Sequence, residues 1–442
     1  MASSSLMTIG KRTVAGMLAA GGKQSQDWSG AYRLFEKERF SQSALFAPAV
    51  KNVLDCLEND TPLHIMMDDT IVRKCGRKIS GTAWKRDPLG PAFHTNFIWG
   101  QRYLQISAAL PDFEVGGRAR GIPIEFHHAP SPTKPHKTAL HEEWTEYKAQ
   151  QKICKISAVG ATCLAELRKR VADRKIVCAV DGGFTNQEVF RSIPENTVII
   201  GRIRKDASLF EVPEMQLDTN RGRKKYYGSR KPTPEQIRQD DLIPWQKVTA
   251  FAAGKKHDFE VKVVGPVRWK PSKDKDMLIV IIRPLAYRPR KNAKLLYREP
   301  GYLICSDTSM PLEKLLQAYL WRWEIELNFR DEKTIMGVGE AQIRTSEAVQ
   351  SFPAFQVATY SFLLLAANAA KLKADSIPSP KWYKRKPTDR YSTNIALSLF
   401  RSGFAEINTG LNKTGFVPNF PTTRTGFFSP HSLQPVLYYA RK

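Results

Sequence analysis

Tyr319, Arg322, Glu326 and Lys333 stand at fixed spacing in a run that holds neither Pro nor Gly. The run follows Ser309-Met310-Pro311, a helix-starting sequence, so one helix is predicted from Tyr319 to Lys333. A helix turns by ~100° per residue, which puts these four side chains on one stripe within ~60°. The other acids of the run, Glu324, Asp331 and Glu332, point elsewhere. One face thus carries a single carboxylate between two cations and a phenol. That set suits a metal-binding acid working beside a phosphate.

One acid does not make a metal centre, so others must be brought to it. Leu63-His-Ile-Met-Met-Asp68-Asp69-Thr70 and Lys175-Ile-Val-Cys-Ala-Val-Asp181 are short apolar runs ending in acids. Each reads as a buried strand with a carboxylate at its C-terminal tip. Side chains alternate along a strand, so only one of Asp68 and Asp69 can face the site. Phosphodiester cleavage needs an activated oxygen nucleophile and neutralised phosphate charge. Two Mg²⁺ ions held by a few carboxylates supply both. Asp68, Asp181 and Glu326 are the candidate ligands. No His or Cys is required, and His127-His128, adjacent on a strand, would face opposite ways.

The order of elements supports this grouping. Residues 1–60 read as short helices (12–22, 28–40 and 43–57) mixing apolar and basic residues, a helical DNA-binding domain. Residues 61–205 read as three strands, the last two over 96–110 and 121–126, a long helix over 142–173, a strand, a short helix and a strand. That order matches the ribonuclease H-like core, an α/β fold with a mixed sheet flanked by helices. Residues 206–305 interrupt it with a basic run, Arg221 to Lys231, and strand-like segments, a β-rich insertion. Residues 306–370 return to the core with the signature helix and a buried apolar helix over 355–370, whose run is short for a membrane span. Residues 371–442 form a basic, Pro-rich tail for DNA or dimer contacts, with one helix over 394–404.

Lys and Arg total 68 against 43 acids, a net charge of +25. Such an excess favours polyanionic partners, and its spread along the chain points to nucleic acid rather than a membrane surface. The six cysteines occur singly, without the pairing of a zinc ribbon, which suits a reducing cytoplasm.

The spacing Tyr-x2-Arg-x3-Glu-x6-Lys resembles the signature of one large group of bacterial insertion-sequence DDE transposases. Asp68-Asp69-Thr70 resembles that group's first acidic motif and selects Asp68 as the ligand; Asp181-Gly-Gly-Phe-Thr-Asn resembles the second. The resemblance covers about residues 60–370. It implies a two-Mg²⁺ enzyme, with Mn²⁺ able to substitute, that cuts DNA at terminal inverted repeats, passes through a hairpin intermediate and joins the freed ends to target DNA. It implies a homodimeric synaptic complex in the bacterial cytoplasm, associated with the nucleoid. Tyr319, Arg322 and Lys333 would hold phosphates, helped by Arg330 and by Arg223, Lys224 and Lys225 of the basic run. Trp245 and Trp269 are candidates to stack on a flipped base. Two alternatives share the core: a DNA nuclease without strand transfer, and a domesticated DNA-binding derivative.

Overall fold

The computed structural model describes residues 1–373 and 392–413, apart from residues 38, 88–89, 92, 113–115, 214–224 and 291. Four helices open the chain: α1 (Ala2–Met7), α2 (Val14–Ala20), α3 (Ser29–Glu36) and α4 (Gln42–Asp55). The Thr13 and Ser41 side chains accept the Gly16 and Ala44 N–H groups and so cap α2 and α4. These helices do not stand apart from the rest. Phe46, Ala49, Val50 and Val53 recur at helical spacing, and that face of α4 enters the main core. Val14, Met17, Leu18 and Phe35 pack with Ala348 and Phe352.

The core follows as β1 (Leu63–Arg73), β2 (Ala83–Arg86), β3 (Phe97–Pro111), β4 (Ala119–Ala129), α5 (His141–Ile153), α6 (Ile156–Arg170), β5 (Ile176–Val180), α7 (Gln187–Arg191) and β6 (Thr197–Arg202). The strand order is β4-β3-β1-β5-β6, with β1, β5 and β6 parallel and β3 antiparallel to both β1 and β4. A mixed sheet in this order, flanked by helices, fits the ribonuclease H-like core. Every residue of β5 is buried, which its unbroken apolar sequence requires.

Three local expectations change. The long helix over 142–173 is two helices: α5 buries none of its residues, whereas α6 buries Gly160, Cys163, Leu164 and Leu167. The basic segment after β1 contains a strand, β2. Strand β1 itself does not stop at its acids. It runs on to Arg73 because the long β3 continues to pair with it, Asp69 opposite Leu104 and Arg73 opposite Gly100.

The next stretch holds β7 (Leu209–Phe210), β8 (Arg230–Lys231), α8 (Pro234–Gln239), β9 (Gln246–Ala252), β10 (Lys255–Trp269), β11 (Asp276–Ile282), β12 (Ala286–Tyr287), β13 (Leu296–Tyr297) and β14 (Gly301–Cys305). Its main strands extend the core sheet: β14 pairs with β6, β11 with β14, and β10 with β11. The chain then forms α9 (Leu312–Trp321), α10 (Trp323–Thr334), α11 (Ser346–Lys373) and α12 (Thr393–Lys413). Helix α11 is longer than its apolar run. Residues Ser346–Ala370 are long and apolar enough to cross a membrane, yet 72% of the most apolar window is buried inside the protein, as in a core helix. The rest of the 371–442 tail lies outside the described residues.

Candidate active site

Met67 of β1 pairs with Val180 of β5 in a parallel register. Asp68 on β1 and Asp181, the residue just past the end of β5, come next, near enough for the Asp181 charge to act on Asp68. Met66, on the same face as Asp68, packs with Ile325 and Phe329 of α10. The face carrying Asp68 is therefore the one that α10 covers. Asp69 turns the other way, where Arg102 donates Nε and Nη2 to its two oxygens at 2.6 and 2.9 Å. This two-pronged pair occupies Asp69 and leaves Asp68 as the acid beside Asp181.

Asp181 is oriented by the turn that follows it. Its Oδ1 accepts the N–H groups of Gly183 at 2.9 Å and Phe184 at 3.2 Å. A turn and a strand-end acid are here one feature.

The signature does not lie on one helix. The chain breaks at Arg322, which ends α9 and begins α10. Arg322 N–H bonds to Tyr319 O at 3.0 Å and Ile325 N–H to Arg322 O at 3.2 Å, the i−3 pattern of a tightened turn. From this junction Arg322 reaches two acids. Its Nη1 donates to Asp68 Oδ2 at 3.1 Å and its Nη2 to Glu326 Oε1 at 2.8 Å. The guanidinium thus links the strand acid to the helix acid.

Helix α10 is seated against β4 at Gly121. A Cβ there would lie 2.8 Å from Asn328 Oδ1 and 3.0 Å from Glu324 Cβ, so only glycine lets the helix approach this closely. Asn328 donates to Gly121 O at 3.0 Å and accepts from Ser107 at 3.0 Å. Glu324 accepts the Gly121 N–H at 3.2 Å and faces β4 rather than the acids.

Charge at the site is concentrated. Burial, then the neighbouring charge of Asp181, pushes the Asp68 carboxyl up to about 7, although Arg322 and the Asp69 N–H pull it back. Burial raises the Tyr319 phenol, while Arg322 and Arg202 act the other way and Asp181 adds to the rise. Tyr319 thus stands near Asp181 and two guanidinium groups. Lys333 is exposed, and Arg330 is exposed with its guanidinium on Asp331.

Sequence reading missed two residues here. Arg202 ends β6, beside the strand that leads to Asp181, and lines a cavity of about 910 Å³ with Gly182 and Thr185, which follow that acid. A cation at the end of the strand adjacent to an acidic strand was the available signal. Glu332, fully buried, is pushed up to about 8 chiefly by burial, with Gln105 as its hydrogen-bond partner. Gln105 is the residue opposite Asp68 in the β1–β3 ladder.

Among the described residues, no three Asp, Glu, His or Cys side chains stand close enough to hold one ion. Asp68 and Asp181 adjoin, and Glu326 joins them only through Arg322, so the expected three-acid cluster is not closed. The donor set nonetheless fits a divalent cation. It is all carboxylate, as a hard cation prefers, and such an ion would relieve the burial cost and the Asp181 repulsion that together raise Asp68.

The other expected contacts divide. Lys225 is exposed, whereas Arg223 and Lys224 lie outside the described residues. Trp245 is flanked by Lys262 Nζ at 4.7 Å and the Arg283 guanidinium carbon at 5.6 Å from its ring centre. Trp269 is nearly buried, edge-on to Phe190, and lines the cavity beside Asp181.

Residues 156–362 match the family model of the transposase DDE domain. This stretch of the chain is similar to a transposase DDE domain. The match includes Asp181, Tyr319, Arg322, Glu326 and Lys333, while Asp68 lies before it. It supports a transposase function, that of an enzyme acting on DNA, and DDE transposases typically use divalent metal ions. No curated protein matches the chain.

Proposed function

We propose that the protein is a cut-and-paste transposase of a bacterial insertion sequence, in the group marked by the Tyr-Arg-Glu-Lys spacing. The observation that carries the reading is Arg322 bridging Asp68 to Glu326 while Asp181 adjoins Asp68 on the next strand. Asp68, Asp181 and Glu326 would hold two Mg²⁺ ions, with Mn²⁺ able to replace them. Bound ions supply an activated oxygen nucleophile and neutralise charge at the phosphate. The chain's own groups do the positioning. The Gly183 and Phe184 N–H groups fix the Asp181 carboxylate. Arg322 offers a planar fork to a phosphate, Tyr319 a hydroxyl donor, and Lys333 a point charge.

The substrates are double-stranded terminal inverted repeats and then target DNA. Hydrolysis breaks one P–O bond at the element end and frees a 3′-OH. Attack of that hydroxyl on the opposite strand forms a hairpin and releases the flanking DNA. Water opens the hairpin, and the 3′-OH then displaces a 3′ oxygen in target DNA. A homodimer pairs two ends in the bacterial cytoplasm, on the nucleoid, with no membrane partner. The net charge of +25 supports this choice of ligand.

Strand joining tests the reading beyond cleavage. A labelled end with a free 3′-OH should become covalently linked to plasmid DNA in Mg²⁺. Cleavage without joining would reduce the protein to a nuclease, and end binding without either would reduce it to a DNA-binding derivative.

A further inference from the structure

Strands β2 and β3 form an antiparallel ribbon beyond the end of the main ladder, with Trp84 opposite Trp99 and Arg86 opposite Phe97. Alternation puts these four side chains on one face of the ribbon. On β3 that face continues through Gln105, the residue opposite Asp68, so it is also the face of the candidate active site. The ring centres of Trp84 and Trp99 are 5.5 Å apart at 68°. The Trp99 indole N–H donates to Gly76 O at 3.0 Å, which fixes one ring, and the other meets it edge to face. Trp84 is 64% exposed, Phe97 56% and Phe93 93%. Large aromatics left in water at this density mark an interaction surface.

The charge around the rings says what they meet. Arg77, Lys78 and Arg86 are exposed on the same segment. A basic surface interleaved with open aromatic faces suits a nucleic-acid strand whose bases are unstacked, since every base offers a π face. Lys74 N–H bonds to Trp99 O, so Trp99 lies about six residues along β1 from Asp68, or ~20 Å. That is roughly six nucleotides of a stacked strand at ~3.4 Å each. We propose that Trp84 and Phe97 form a stacking platform for unpaired bases of a DNA strand leaving the active site. The platform rests on the proposed DNA-cutting function only for its ligand, because the rings are remote from the acids.

The test compares a duplex of about 20 base pairs, blunt or ending in a thymidine overhang of about ten nucleotides. Binding of each is measured by fluorescence anisotropy for the wild type, Trp84→Ala/Phe97→Ala and Trp84→Phe. Wild type should prefer the overhang. The double variant should lose roughly 5- to 100-fold on the overhang duplex, as expected for one or two lost stacks, and less than about twofold on the blunt one. Trp84→Phe should keep the preference, and thermal melting should show all three proteins folded. Equal loss on both DNAs would overturn the proposal in favour of a general contact. Unchanged binding to both, with a lower sedimentation mass for the variant, would assign the patch to a second copy of the chain. Repeating the comparison in Asp181→Ala separates the two claims. A platform that persists without any cleavage activity survives failure of the transposase reading. Normal wild-type cleavage with no overhang preference sinks the platform alone.

Discussion

Replacing Asp68 with Asn should stabilise the protein in the absence of metal. Asp68 is half-buried beside Asp181, and its carboxyl sits at about 7 against an ordinary value of 3.8. The folded state therefore holds this proton more tightly than the unfolded chain does. Below pH 4 both states are protonated there and the site costs nothing. Between pH 4 and 7 the unfolded chain releases the proton first, so stability falls as pH rises. Above pH 7 the penalty is constant. A shift of about 3 pH units corresponds to ~4 kcal/mol at 1.36 kcal/mol per unit. Asn keeps the shape without the charge, and it gives up the 3.1 Å contact with Arg322, which offsets part of the gain. A net gain of about 2–3 kcal/mol at pH 8, shrinking toward zero or below by pH 4, is expected. Urea unfolding at pH 4, 6 and 8 in chelator measures it. Mg²⁺ should then narrow the gap. At tenfold excess over its Kd it stabilises the wild type by ~1.4 kcal/mol and the Asn variant by much less. An Asn variant less stable than wild type at pH 8 would refute the reasoning, because Asp68 would then be a structural ion-pair partner of Arg322.

Glu326→Ala should abolish cleavage and leave end binding within about threefold, whereas Glu324→Ala, which loses a bond to Gly121 N–H, should still cut. Cleavage gels beside mobility shifts decide it, and an inactive Glu324 variant with an active Glu326 variant would invert the assignment. Asp69→Ala should retain cleavage while Asp68→Ala loses it, since Arg102 already engages Asp69; the reverse result in the same assay would exchange their roles. Lys333→Ala should slow cleavage by roughly 10- to 100-fold with little loss of overall affinity, as removal of one charge-assisted phosphate contact predicts. Parallel loss of binding to unrelated DNA would make Lys333 a generic contact.

Much of this arrangement is readable in the sequence because it rests on local rules. Two apolar runs with acids at matching ends predict neighbouring strands, and the register then sets Asp68 and Asp181 side by side. Helical spacing likewise brings Arg322 to Glu326. What local rules could not show depends on partners far along the chain. Strand β1 continues past Asp68 because β3 is long enough to pair with it, and nothing within 63–73 announces that. The break at Arg322 carries no Pro or Gly, and arises where α9 and α10 meet the sheet. The packing partners of the helices of 1–60 are equally distant in sequence: those of α2 and α3, on α11, lie some 300 residues away. The extension of the sheet by β14, β11 and β10 is equally non-local.

The central claim is that Asp68, Asp181 and Glu326 serve one metal-dependent reaction on DNA ends. Its most direct test is Mg²⁺-dependent cleavage of DNA carrying the terminal repeats of the source element, wild type beside Asp181→Ala. The account predicts nicking at the repeat boundary and a hairpin product from the wild type, and neither from the variant. Specific end binding by a folded wild type with no cleavage in Mg²⁺ or Mn²⁺, or equal cleavage by Asp181→Ala, would contradict it.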